Sequence, residues 1–289
     1  RTAEAMRVEI LGSGGAISTP RALCRCGLCR QARQQGVPYS RSGPSLFVHG
    51  PDLIVDTPED IIASLARSRV ERIAVGTYSH WHPDHLLGAR MWESLNGDYT
   101  GWPPTHRKTP LYFPRRVAED VRDRLGMWEM FTFLEQRGLI EIVELAEEAT
   151  FFSNGYQITP VSLSEEYVFA QIVEGRGKRL FVAVDELFGW RPTAQLGHFD
   201  LAVLPLGVTE FKPLSGQRHY PLDHPVLRRE ATLAQTLDVV RALNADRIVL
   251  THISEVDQLS YDDGLVLEER WRQDGLPITM AYDGLFLEV

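Results

Sequence analysis

The sequence predicts an α/β sandwich of two mixed β-sheets packed face to face, with helices on the outside. Two observations predict it. Short β-branched runs outnumber amphipathic stretches, and many strand candidates follow one another as in hairpins. A doubly wound sheet would instead alternate strand and helix regularly. Along the chain, β-branched apolar runs place strands at 7–11, 45–48 and 53–56. An amphipathic helix at 58–67 leads to a strand at 73–78, a helix at 84–94 and a strand at 111–113. Helices at 116–125 and 128–137 precede a strand-rich stretch at 140–145, 156–161, 167–173, 179–184 and 201–205. The chain then alternates: helix 229–243, strand 247–251, helix 262–273, and strands 278–281 and 285–289. Gly12-Ser13-Gly14-Gly15 follows the first strand, where a dinucleotide-binding turn would sit. That fingerprint needs a third glycine where Ile17 stands, so the run reads as a tight strand exit. No linker rich in Pro, Gly or Ser separates the elements. One domain is expected over 1–289, with 1–5 set aside as a tag remnant.

Hydrophobic residues at 44% and charged residues at 24% are ordinary for a globular chain, and 289 residues suffice for a sizeable core. The formal net charge of −9 argues against a general nucleic-acid binder, because phosphate backbones attract Lys/Arg-rich faces. An acidic chain can still cleave phosphate esters if bound cations supply the positive charge. No run approaches the ~20 apolar residues of a membrane span. Residues 1–5 lack the apolar core of a signal peptide, so a cytoplasmic location is expected. The three cysteines, Cys24, Cys26 and Cys29, fall within six residues. An odd number so closely spaced is a poor disulfide framework and a good thiolate nest for a metal.

The strongest chemical signal is Ser79-His80-Trp81-His82-Pro83-Asp84-His85, directly after an apolar strand. An extended backbone points His80 and His82 the same way. Pro83 then opens a helix whose first turn carries Asp84 and His85. Imidazole nitrogens with carboxylate oxygens suit Zn²⁺, Mn²⁺ or Fe²⁺.

This H-x-H-x-D-H run resembles the signature of the metallo-β-lactamase superfamily, which implies an αββα sandwich and a metal-dependent hydrolase. The resemblance extends over most of the chain. It implies that Asp56 is a carboxylate orienting the ligand loop from behind. It further implies that Asp185 bridges two metals and that His252 is the last histidine ligand. Within the superfamily the chain is similar to the PhnP-like cyclic phosphodiesterases. The likeness rests on Leu11-Gly12-Ser13-Gly14, Cys24-x-Cys26-x-x-Cys29 and Thr251-His252-Ile253-Ser254. In that family three cysteines and a histidine hold a structural zinc. Here Glu255 stands where that histidine would be, which implies a site of Cys24, Cys26, Cys29 and Glu255. The superfamily's further histidine, expected after the strand at 156–161, is also missing; Glu165 or its neighbour Glu166 takes its place. The implied first metal site is then His80, His82, Glu165 and Asp185, and the second is Asp84, His85, Asp185 and His252. The extra oxygen ligand shifts preference from zinc towards manganese or iron.

The expected cofactors are two divalent ions at the active centre and one structural zinc. The expected reaction is hydrolysis of a small or cyclic phosphodiester by a metal-activated hydroxide, with Asp84 holding the nucleophile or its proton. The resemblance implies a histidine general acid, for which His224 is the counterpart by position. Arg115, Arg116, Lys178 and Lys212 are candidate phosphate contacts. Two other readings compete: thioester or lactone hydrolysis with the same chemistry, and a PqqB-like accessory protein that binds metal without turnover. The insertion at 96–114, with Tyr99 and Trp102, is a candidate lid or contact of a homodimer.

Overall fold

The computed structural model of the chain describes residues 5–146, 149–163 and 167–289. Its strands form two sheets of seven. The first runs in the order β14 (Phe286–Glu288), β1 (Arg7–Gly12), β2 (Ser45–His49), β3 (Leu53–Val55), β4 (Val75–Thr77), β5 (Thr109–Pro114) and β6 (Ile140–Leu145). The second runs β13 (Ile278–Met280), β12 (Ile248–Thr251), β11 (Leu201–Pro205), β10 (Lys178–Val182), β9 (Phe169–Gly175), β8 (Tyr156–Ser162) and β7 (Phe151–Ser153). Both are mixed. In the first, β14 to β3 pair antiparallel and β3 to β6 parallel. In the second, β13 to β10 pair parallel and β10 to β7 antiparallel.

The sheets meet through one face of each, where Val8, Leu46 and Val55 pack with Val173, Val182 and Val203. Alternate residues point outward to the helices. Phe47, Ile54, Leu111 and Phe113 carry α2 (Ile61–Arg67), α4 (Met91–Asn96), α5 (Arg115–Asp120) and α6 (Trp128–Gln136) through Ile61, Trp92, Val117 and Phe131. On the far side, Ala202, Leu204 and Leu250 carry α7 (Leu233–Ala242) and α8 (Tyr261–Gln273) through Val240, Leu267 and Trp271. The metallo-β-lactamase sandwich expected from the sequence is therefore the fold. Strands buried on both faces read as continuous apolar runs, as β11 and β12 do.

Several elements differ from the sequence reading. The helix expected at 84–94 is broken into α3 (Pro83–Leu86), a 3₁₀ turn at Leu87–Arg90, and α4. The backbone there is pressed against the 57–58 turn: a Cβ on Gly88 would lie 1.8 Å from the Pro58 carbonyl oxygen. The helix expected from 229 begins only at Leu233, where Thr232 and Gln235 form a capping box. Two elements are additional, the cysteine-bearing α1 (Gly27–Gln35) and the short edge strand β7. The segment at 97–108 stays on the surface, with Trp102 93% exposed, and none of it lines the cavity described below. Among the described residues no helix is long and apolar enough to cross a membrane.

Candidate metal centre

Every motif residue sits where a strand ends. Asp56 follows β3, His80 follows β4, Asp185 follows β10 and His252 follows β12. These strands lie in or beside the parallel halves of the two sheets, so their carboxyl ends open on one edge of the sandwich.

Asp56 organises the loop from behind. It is fully buried and held at φ 63°, the left-handed region that aspartate tolerates better than most residues. One carboxylate oxygen accepts the Ser79 N–H at 2.7 Å; the other accepts the Ser79 hydroxyl at 2.6 Å and His85 Nδ1 at 2.7 Å. Because His85 donates from Nδ1, Nε2 is the nitrogen that carries the lone pair whenever the ring is neutral. The Ser79 O–H donates its hydrogen bond to Asp56, so His80 Nδ1, 3.0 Å away, donates to the Ser79 oxygen. His80 Nε2 is thereby also a lone pair. One carboxylate sets both tautomers. Asp56→Asn is expected to weaken metal binding about 10–100-fold, read by competition with a chromophoric chelator. Undiminished affinity would remove Asp56 from the centre's support.

The ligand atoms fall into two groups, His80 with His82 and Asp185, and Asp84 with His85 and His252. In each, the atoms lie within 4.8 Å of one another. Asp185 stands between the groups: one oxygen is 3.1 Å from His80 Nε2 and 3.6 Å from His85 Nε2, and the other is 3.6 Å from His252 Nε2. The Nε2 atoms of His80, His85 and His252 are buried and make no hydrogen bond. Lone pairs and carboxylate oxygens that converge without bonding one another are what a shared cation requires, so these residues fit two divalent ions.

The charges are mutually dependent. Burial pushes His80 down, and the neighbouring His85 adds to this. Burial pushes His82 down to about 4, with His80 contributing. Burial opposes the charge on His85 too, but the carboxylates of Asp56 and Asp84 outweigh it and raise it well above the usual imidazole range. For Asp185, burial raises the carboxyl, yet the neighbouring imidazoles of His252 and His80 hold it well below the usual carboxylate range.

The second cluster also assembles. Cys24, Cys26 and Cys29 Sγ lie 3.6, 3.4 and 3.4 Å from one Glu255 carboxylate oxygen. A tetrahedral zinc with bonds of about 2.3 Å to sulfur and 2.0–2.2 Å to oxygen sets those atoms roughly 3.5 Å apart, so the cluster is sized for that ion. The glycine run serves the same region. A Cβ on Gly15 would lie 2.8 Å from His252 Nδ1 and 2.4 Å from Ser254 Oγ, so only glycine lets this backbone pass.

Of the expected residues, His224 is not brought to the centre and one ligand position is not described. Glu165, with Glu166, lies outside the described residues. His224 caps the turn Pro225–Arg228 by accepting Val226 N–H at Nδ1, and Tyr220, against which its ring packs, lines the cavity in its stead. That cavity, about 280 Å³, opens over Asp84, Asp185 and His252. Its wall includes Tyr167, Glu186, Tyr220, Glu230 and Asp257, none of which the sequence reading singled out. Glu186 alone carried a local signal, its place beside Asp185. It sits at φ 30° and accepts Ala231 N–H at 2.9 Å and Phe188 N–H, tying the Asp185 loop to the entry of α7.

A family model described as "Beta-lactamase superfamily domain" matches residues 50–253. An octanoyltransferase of Porphyromonas gingivalis (strain ATCC BAA-308 / W83) is 22% identical over 283 residues, which is 97% of this chain. The chain spans about half (51%) of that curated relative's length. Among solved structures, a diphosphatase of the PhnP family superposes with a TM-score of 0.69 at 23% identity, covering 99% of this chain and 98% of the other. Zn²⁺-bound PqqB from Methylobacterium extorquens gives 0.71 at 19%, with 98% and 100% covered. The short form of human tRNase Z gives 0.63 at 15%, with 98% and 99% covered. Likenesses at such identities speak to the fold.

Proposed function

The chain belongs to the β-lactamase superfamily, and from its two ligand groups meeting at Asp185 we propose that it is a dinuclear metal-dependent phosphodiesterase acting on a small phosphate ester. That meeting is the observation that carries the reading. In the proposed centre His80, His82 and Asp185 would hold one ion, and Asp84, His85 and His252, with Asp185 beside them, would hold the other. Such a pair, when bound, neutralises phosphoryl oxygens and lowers the pKa of water towards neutrality. Asp84 reaches the cavity and has a carboxylate oxygen with which to hold the attacking water or its proton. Asp56 and Ser79 keep His80 and His85 in the tautomers that leave Nε2 free. The cavity's size suits a small ester, and a structure named as a diphosphatase of the PhnP family is among those that superpose on the chain.

Apo protein reloaded with zinc, manganese or iron tests this through metal content by mass spectrometry and hydrolysis of bis(p-nitrophenyl) phosphate. About three metals per chain, two at this centre and one at the cysteines, with turnover in at least one loading, is the expected result. One ion or fewer at the centre and no hydrolysis under any loading would overturn it in favour of a metal-binding accessory role. A second reading, hydrolysis of an acyl ester or thioester, is favoured by the apolar wall of Ile17, Leu187, Val208 and Val226 and by the relative named an octanoyltransferase. Turnover of p-nitrophenyl acyl esters in preference to the phosphodiester would select it.

A further inference from the structure

The cavity over the metal centre has an uneven charge pattern. Among the described residues no lysine or arginine lines it, although the chain has 30 of them. Of the basic residues expected to meet phosphate, Lys178 pairs with Asp200 and Arg116 with Asp120, and Arg115 and Lys212 do not line the cavity. Arg228 and Arg229 precede Glu230 but are exposed and do not line the cavity. Among the described residues the cavity carries five carboxylates, those of Asp84, Asp185, Glu186, Glu230 and Asp257. Four have partners: Asp84 and Asp185 face the ligand histidines, Glu186 holds two backbone N–H groups, and Asp257 accepts the Thr209 hydroxyl and the Ser254 N–H.

Glu230 differs. Its backbone is fixed at the end of the 3₁₀ turn by Val226, but its carboxylate makes no hydrogen bond or ion pair among the described residues. It lines the cavity together with Tyr220, and it is exposed to the solvent from which a substrate arrives. A second phosphate or a carboxylate on the substrate would meet this oxygen with no cation to offset it. A hydroxyl would instead find a charged acceptor, among the stronger hydrogen bonds available.

Resting on the phosphodiesterase reading, we propose that the cavity selects a phosphodiester with a single negative charge whose ester arm carries hydroxyl donors, and that Glu230 reads this arm. The specificity excludes substrates with further phosphates, including diphosphates and polynucleotides.

The test compares three p-nitrophenyl phosphodiesters whose second arm is ethyl, 2,3-dihydroxypropyl or 2-carboxyethyl, on metal-loaded wild type, E230Q and E230L. Glu230 is exposed, so neither substitution removes a packed core contact. In the wild type the dihydroxypropyl ester should exceed the ethyl ester in kcat/KM by about tenfold, the scale of one hydrogen bond to a charged group, and the carboxyethyl ester should fall below it by a similar factor. The first ratio should collapse towards unity in E230L, and the second should narrow in E230Q. Ratios equal in wild type and variants would overturn the proposal while leaving phosphodiesterase activity intact. Calorimetric titration of the same esters reads the preference without turnover. If no ester is hydrolysed, the phosphodiesterase reading falls, and calorimetry decides the proposal: a dihydroxypropyl preference that needs Glu230 sustains the assignment, and equal binding ends it.

Discussion

Asp185→Asn is expected to cut kcat/KM for the phosphodiester by about 10³-fold, corresponding to roughly 4 kcal/mol of lost transition-state stabilisation. The substitution keeps the shape of the side chain and removes its charge. Among the described residues Asp185 is the one carboxylate whose oxygens face both ligand groups, at 3.1 Å from His80 and 3.6 Å from both His85 and His252. An amide there offers one oxygen and turns an NH₂ towards the other group, so at least one ion loses a ligand and meets a donor instead. Metal analysis should therefore fall towards one ion at this centre in parallel with turnover. A D185N protein that keeps both ions and stays within about tenfold of wild type would show that Asp185 does not bridge, since losing a bridging ligand costs several kcal/mol.

Cys29→Ala should remove the cysteine-bound ion and lower the thermal midpoint by roughly 8–16 °C. Cys29 is buried, Glu255 is nearly so, and the cluster fastens the start of α1 to the turn after His252. Burial pushes the metal-free Cys29 thiol up to about 12, so ion uptake must expel its proton and weakens as the pH falls. Structural zinc contributes on the order of 10 kcal/mol in small domains. A loss of only about 4 kcal/mol here, at about 2–4 °C per kcal/mol, gives the stated shift. Differential scanning calorimetry with metal quantitation checks both halves; an unaltered metal count with a midpoint within about 2 °C would leave three ordinary thiols.

How much of this was legible in the sequence follows from how local each signal is. His80, His82, Asp84 and His85 are within six residues, and their convergence needs only a strand running into a helix. Asp56, Asp185 and His252 each end an apolar run, but they were legible only through the resemblance that follows from the histidine motif, since a strand-end aspartate or histidine alone is a common turn residue. The wall of the cavity was not, because Tyr167, Tyr220 and Glu230 meet the metal ligands only through packing of distant segments. His224 shows the same limit: its loop was identified, but whether His224 or Tyr220 faces inward depends on the turn it caps. Among the elements, β7 is three residues long and carried little strand pattern. The Asn154-Gly155 pair that turns it back into β8, both residues at positive φ, was the available hairpin signal. The break at Gly88 left no local mark, because its cause is the backbone of Pro58 thirty residues earlier.

Each ligand group draws on both sheets. His80 and His82 rise from the edge of the first sheet and meet Asp185 from the second; Asp84 and His85 come from the first and meet His252 from the second. The Phe169 N–H donates to the Ser79 carbonyl across the same seam, 2.9 Å away. The centre is thus a gauge of how the two layers are seated, and no fragment carrying one layer contains a complete set. A sliding of one sheet over the other by a fraction of an ångström, from repacking Val55 against Val182 or Val203 deep in the interior, alters both coordination spheres at once. The spacing of the ligand groups therefore depends on the valines between the layers as well as on the residues that face the cavity.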